Sequence, residues 1–131
     1  MAGDPNQRRP SKLRRVLVVD DDPDILDALA EILETEGYEV QRARNGREAL
    51  QRLEQGLPDL ILLDLMMPVM DGWEFARSLA PEARPPIIVL SADRNVSAKA
   101  QEIGARGWLS KPFELSDLLG AVRAVGLSEM P

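Results

Sequence analysis

Three stretches of this chain, "RRVLVV" (14–19), "DLILLD" (59–64) and "PIIVLSA" (86–92), each carry an unbroken apolar run. Successive side chains of a strand point to opposite faces of its sheet, so a strand apolar at every position has no face for water. Such strands belong to parallel sheets covered by helices on both sides. Each run also stops on a polar group: Asp20, Asp64 and Ser91. Asp64 is the sharpest case, because "LILLDLMMPVMDG" (60–72) sets one carboxylate among apolar residues. An ionised carboxylate away from water is costly unless a cation, a metal or hydrogen bonds compensate it. It therefore marks a strand end that reaches solvent, or a place where positive charge waits.

The segments between the apolar runs have helical spacing. Ile25, Leu26, Leu29, Ile32 and Leu33 recur along "DPDILDALAEILETEG" (22–37), which Gly37 stops. "YEVQRA" (38–43) alternates as a half-exposed strand, and "NGREALQRLEQG" (45–56) is a helix with Ala49, Leu50 and Leu53 inward. "DGWEFARSLA" (71–80) predicts a short helix and "RNVSAKAQEIGA" (94–105) a weakly apolar one, carried by Val96, Ile103 and alanines. "GWLSK" (107–111) is a strand and "ELSDLLGAVRAVG" (114–126) the last helix. Strand and helix thus alternate five times. The two mixed strands, 38–43 and 107–111, belong at the edges. Right-handed crossovers then give a doubly wound, five-stranded parallel α/β sheet.

With 131 residues the chain is most simply one domain. It divides into a basic N-terminal tail (1–12), expected to be flexible, a folded body (13–127) and a short C-terminal tail (128–131). Lys and Arg total 16, and Asp and Glu 22. Residues 1–15 hold five of the basic groups and only Asp4 of the acids, leaving 11 basic and 21 acidic groups beyond them. So acidic a body argues against nucleic-acid binding, and a short basic tail usually makes a solvated terminus. No stretch approaches the roughly 18 apolar residues of a membrane span. "MAGDPNQRRPSKLRR" has no apolar core and is no secretory signal. The expectation is a cytoplasmic protein without membrane or nucleic-acid partners. There are no cysteines and no histidines. That excludes disulfides, thiol catalysis, His-ligated zinc and Ser-His-Asp chemistry.

In a sheet of this kind, ligands bind at the carboxyl ends of the strands. That edge gathers Asp20, Asp21 and Asp22 from the first strand, Asp64 from the third, Ser91 from the fourth and Lys111 from the fifth. Crowded carboxylates repel, so a divalent cation is their natural counterion. A few carboxylates and water suit Mg²⁺, with Mn²⁺ as the alternative, better than a caged Ca²⁺. Thirteen of the 16 basic residues are Arg, so a Lys at this edge is informative. Lys holds a phosphate as a point charge. Metal, lysine and hydroxyl around one carboxylate suit phosphoryl transfer to that carboxylate.

"VLVVDDD", "PDLILLDLMMPVMDGWEF", "IIVLSA" and "GWLSKPF", in this order, resemble the receiver domain of two-component response regulators, over roughly residues 13–127. The resemblance is to single-domain, chemotaxis-regulator-like members and implies a flavodoxin-like sheet of order 2-1-3-4-5. It implies Asp64 as phospho-acceptor, Asp21 as a direct metal ligand, Asp20 acting largely through water, and the Met66 backbone carbonyl completing the metal shell. Ser91 becomes the switch hydroxyl, Lys111 the phosphate-binding lysine with a cis bond to Pro112, and Trp108 the aromatic switch residue. Phosphate would come from a histidine kinase or phosphotransfer protein. Output would pass to a protein bound on the 94–126 face, with phosphorylation-dependent dimerisation left open. The chain would catalyse only its own phosphorylation and dephosphorylation. Ending at Pro131, it reads as a single-domain regulator or an excised receiver. Trp108 is larger than the family's usual Tyr or Phe, and Ser91 lacks the methyl of the more common Thr.

Other readings compete at particular residues. Asp22 and Asp24 precede a helix and read better as caps than as ligands. Asp71-Gly72 reads as a turn and helix start. Trp73 and Phe75 read as helix packing, and the side chains of Met66 and Met67 as ordinary apolar loop residues. Asp20, Asp22, Asp24 and Glu31 match four positions of a calcium loop, but Ile25 stands where that loop needs Gly. A haloacid-dehalogenase-type phosphatase would need Asp-x-Asp after the first strand together with a substrate cap. Two further function classes stand beside the phosphorylation switch: a constitutive interaction module of the same fold, and a small phosphotransferase or hydrolase of metabolites.

Overall fold

The computed structural model describes residues 14–67, 71–80 and 84–128. The expected tail 1–12 lies outside them, as do residues 129–131 of the expected C-terminal tail. The order along the chain is β1 (Arg15–Val19), α1 (Pro23–Thr35), β2 (Glu39–Ala43), α2 (Gly46–Gln55), β3 (Leu60–Asp64), α3 (Gly72–Arg77), β4 (Ile87–Ser91), α4 (Val96–Ile103), β5 (Gly107–Ser110) and α5 (Leu115–Ser128). All five strands are parallel and lie in the order β2-β1-β3-β4-β5. The apolar strands are central and the mixed ones are the edges, as the patterning predicts.

Alternation along the central strands feeds two cores. Val16, Val18, Leu60, Leu62, Ile88 and Leu90 face α1 and α5, meeting Leu26, Leu29 and Leu33 of α1 and Leu118, Val122 and Val125 of α5. Leu17, Val19, Ile61, Leu63, Ile87 and Val89 face the other three helices, including Phe75 of α3 and Ile103 of α4. Each fully buried Leu or Ile contributes roughly 1.5–3 kcal/mol through removal from water. A register slip of one residue would exchange these two sets, so burial on both faces leaves register to the strand ends and helix connections.

Helix ends account for where sequence and structure differ. Asp22 caps α1, accepting from the Asp24 and Ile25 amides, and Asp71 caps α3 through the Glu74 amide. The cap reading of Asp22 and the helix-start reading of Asp71 are both borne out, and the calcium-loop reading fails. Helix α3 is only six residues long, ending at Arg77. Helix α4 is shorter than 94–105 because Asn95 makes no side-chain cap bond and Gly104 stops the helix in the left-handed region (φ 80°). Helix α5 continues two residues past 126, to Ser128.

Candidate functional site

Strand register brings the sequence candidates together. Val19 pairs with Leu63 and Asp64 with Leu90, so the next residue of β1, Asp20, emerges beside Asp64, with Ser91 one step on. Ser91 pairs with Ser110, and the Lys111 amide donates to the Ser91 carbonyl at 2.9 Å, which carries Lys111 to the same edge. The Lys111–Pro112 bond is cis.

Asp20 is fully buried, Asp64 is 5% exposed and Ser91 1%. Lys111 Nζ donates to Asp20 Oδ2 at 2.8 Å and to Asp64 Oδ2 at 3.4 Å. The Met66 amide donates to Asp64 Oδ1 at 3.0 Å, and the Asp22 amide to Asp20 Oδ1 at 2.9 Å. Asp64 is therefore compensated by one ammonium and one amide, which answers the opening puzzle. Burial still outweighs them. It raises the Asp64 carboxyl to about 6, opposed by the Met66 amide and Lys111 and reinforced by the Asp20 charge. Burial pulls the Lys111 ammonium the other way, but its hydrogen bond to Asp20 and the charges of Asp64 and Asp20 leave it raised.

Among the described residues, Asp20, Asp21 and Asp64 form a group whose carboxylate oxygens lie within 4.8 Å of one another. Asp21 is the exposed member. One open side, hard oxygen donors and excess negative charge fit a hydrated Mg²⁺, which keeps several waters. Met66 follows the cluster and is 63% exposed, while Met67 is buried in the core. Trp108 lies on β5 and is 45% exposed. Trp73 and Phe75 pack in the α2–α4 core.

Two features escape the sequence reading. Gly72 allows the β3–α3 loop to close: a Cβ there would meet Leu65 Cα at 2.7 Å and the Asp64 carbonyl oxygen at 2.8 Å. The Gly72 amide donates to the Leu65 carbonyl at 3.2 Å across that contact. Lys99 of α4 is ion-paired with Asp93, six residues earlier and off any helical repeat, so no spacing rule reveals it.

Fold, strand ends and acidic cluster together define a class, and comparison with known proteins names it. The response regulator receiver domain model matches residues 16–123. Response regulator MprA of Mycolicibacterium vanbaalenii is 42% identical over 114 residues, covering 85% of this chain and 49% of that protein. The chain spans about half the length of the curated relatives it matches. Chemotaxis response regulator CheY4 of Vibrio cholerae is 36% identical with a TM-score of 0.78, covering 86% of this chain and 98% of the other. Response regulator TrrA of Thermotoga maritima, solved in complex with Mg²⁺ and beryllofluoride, is 35% identical with a TM-score of 0.77, covering 86% and 99%. The chain belongs to the response regulator receiver domain family, whose members work as phosphorylation-activated switches and interact with histidine kinases and downstream targets.

Proposed function

We propose that Asp64 is the phospho-acceptor and that its phosphorylation alters the surface formed by residues 94–126. The observation that carries this reading is the cation–carboxylate geometry: Lys111 spans Asp20 and Asp64, with Asp21 beside them. An Asp64 oxygen attacks phosphorus and forms the acyl phosphate. The P–N bond of a phosphohistidine donor, or the P–O bond of a small phosphodonor, breaks with its electron pair leaving on the donor. Lys111 stays in place to hold a phosphoryl oxygen, and the Ser91 hydroxyl donates to another. Asp21, Asp64 and the Met66 carbonyl would hold Mg²⁺, with Asp20 acting through water, and the bound ion would supply charge neutralisation for the phosphoryl oxygens. Mn²⁺ satisfies the same donors.

By family resemblance, Trp108 of β5 is the residue through which Ser91 movement reaches the output face; it lies two residues before Ser110, the partner of Ser91 across β4 and β5. Phosphate arrives from a histidine kinase or phosphotransfer protein, and the output is a protein contact on the 94–126 face. No helix among the described residues is long and apolar enough to cross a membrane; the setting we propose is the cytoplasm. The chain catalyses only its own phosphorylation and dephosphorylation.

Intact-mass measurement after incubation with acetyl phosphate and Mg²⁺ tests the reading. One alkali-labile phosphoryl adduct is expected, absent when EDTA is added and absent in Asp64→Asn. An adduct that persists in Asp64→Asn overturns it.

A further inference from the structure

The turn between β4 and α4 is held by a chain of polar contacts that starts at Ser91. The Asp93 amide donates to Ser91 Oγ at 3.1 Å. Asp93 Oδ1 accepts from the Asn95 amide at 2.7 Å, and Asp93 Oδ2 is paired with Lys99 Nζ. Asn95 itself makes no side-chain cap bond to α4, and its own amide is held by Asp93, two residues further out. Both side chains of the ion pair are 27% exposed, whereas Arg44, in its pair with Glu48, is 69% exposed. The hydrogen bond from Lys99, joined by that from the Asn95 amide, holds the Asp93 carboxyl below the usual carboxylate range.

We propose that Lys99 is a positioning residue that, acting through Asp93, holds Ser91 at its strand-end position and opposes capture of a phosphoryl oxygen on Asp64. This rests on the reading of Asp64 as the phospho-acceptor. To donate to a phosphoryl oxygen, the Ser91 hydroxyl moves toward Asp64. It must then leave the Asp93 amide or carry the turn with it, and the turn is tied to α4 by Lys99. An interaction present in one state and lost in the other shifts the equilibrium by its own worth. A partly exposed ion pair is worth about two- to fivefold in an equilibrium constant.

Beryllofluoride titration in saturating Mg²⁺, read by ¹⁹F NMR, separates this from simpler effects. Lys99→Met is expected to bind beryllofluoride about two- to fivefold more tightly than the unaltered chain. Asp93→Asn, which keeps the oxygen that accepts from Asn95, is expected to do the same, and the double variant to be no tighter than either single one. Lys99→Arg restores the original affinity. Added salt is expected to narrow the gap between Lys99→Met and the unaltered chain, because it screens the pair. Charge acting only through space gives opposite signs for the two single variants, since one loses a cation and the other an anion. Weaker or unchanged binding in Lys99→Met, or additive effects in the double variant, overturns the proposal. Failure of the unaltered chain to bind beryllofluoride removes the acceptor reading and this proposal with it; binding by the unaltered chain with no effect of Lys99→Met removes this proposal alone.

Discussion

At the β1–β3 end of the sheet, Asp20 and Asp64 continue strands whose apolar side chains are all buried. Beyond β4, the turn from Ser91 leads into α4, which gives the core only Val96, Ala100 and Ile103. The helices flanking the two regions differ in the same sense. Helix α1 has thirteen residues, a side-chain cap from Asp22 and three buried leucines. Helix α4 has eight residues and no cap bond from Asn95, and it relies on the Asp93–Lys99 pair at one end. At the other end the Arg84 guanidinium donates to the Ile103 carbonyl. The carboxylates are placed by packing that admits one arrangement, because close-packed cores do not deform continuously. The region we propose to respond is held by polar contacts that water or a phosphoryl oxygen can replace. Segments with few buried contacts open most readily. Precision and responsiveness are thus separated along one sheet edge.

The contrast breaks first if the two regions tolerate truncation equally. Leu62→Ala, in the fully buried β3, is expected to cost about 2–5 kcal/mol in urea unfolding. Val96→Ala removes less apolar volume at the rim of α4 and is expected to fall well below it. Equal losses would show that α4 is as firmly held as the central strands.

Gly72→Ala presses on the chemical half from the loop side. Its Cβ would meet backbone atoms of Asp64 and Leu65, which cannot swing away as a side-chain tip can. A loss of about 1–3 kcal/mol in stability is expected, with weaker Mg²⁺ binding measured by titration. Unchanged values for both would mean that the β3–α3 loop is loose.

A third prediction follows from the raised Asp64 carboxyl, about 6 against an ordinary value of 3.8. The folded chain holds this proton more tightly than the unfolded chain. Its contribution to stability is complete below the ordinary value and is lost as pH rises through about 6. Asp64→Asn cannot lose it. In EDTA, the stability of Asp64→Asn relative to the unaltered chain is expected to grow by about 1–2 kcal/mol from pH 4 to pH 7, after allowance for solvent screening. A pH-independent difference would mean that Asp64 is better compensated than its burial implies.

Much of this arrangement was legible in the residues themselves. Runs such as "LILL" and "IIVL" carry their own burial, and each strand's last residue carries its place at the edge, so Asp20, Asp64 and Ser91 converge from topology alone. Lys111 was legible for the same reason, although it stands one residue past β5. Contacts that depend on how a turn closes were not. Asp93 and Lys99, six residues apart, are not neighbours on a helical repeat, and the turn that brings them together is not a strand; the crowding at Gly72 exists only once α3 has packed over Leu65. The ends of α4 are not legible in the same way: apolar spacing runs over 94–105, while Asn95 stands outside the helix and Gly104 stops it in the left-handed region. The roles of Trp108 and the 94–126 face rest on family resemblance, since an exposed indole has no signature in spacing.

Hydrogen exchange of the unaltered chain, with and without beryllofluoride in saturating Mg²⁺, tests the central division most directly. The result predicted is altered protection across the Ser91–Lys111 segment, strongest in α4, while the amides of β1 and β3 that lie within the sheet ladder keep their rates. Changed protection spread through β1 and β3, with α4 unaffected, would contradict it.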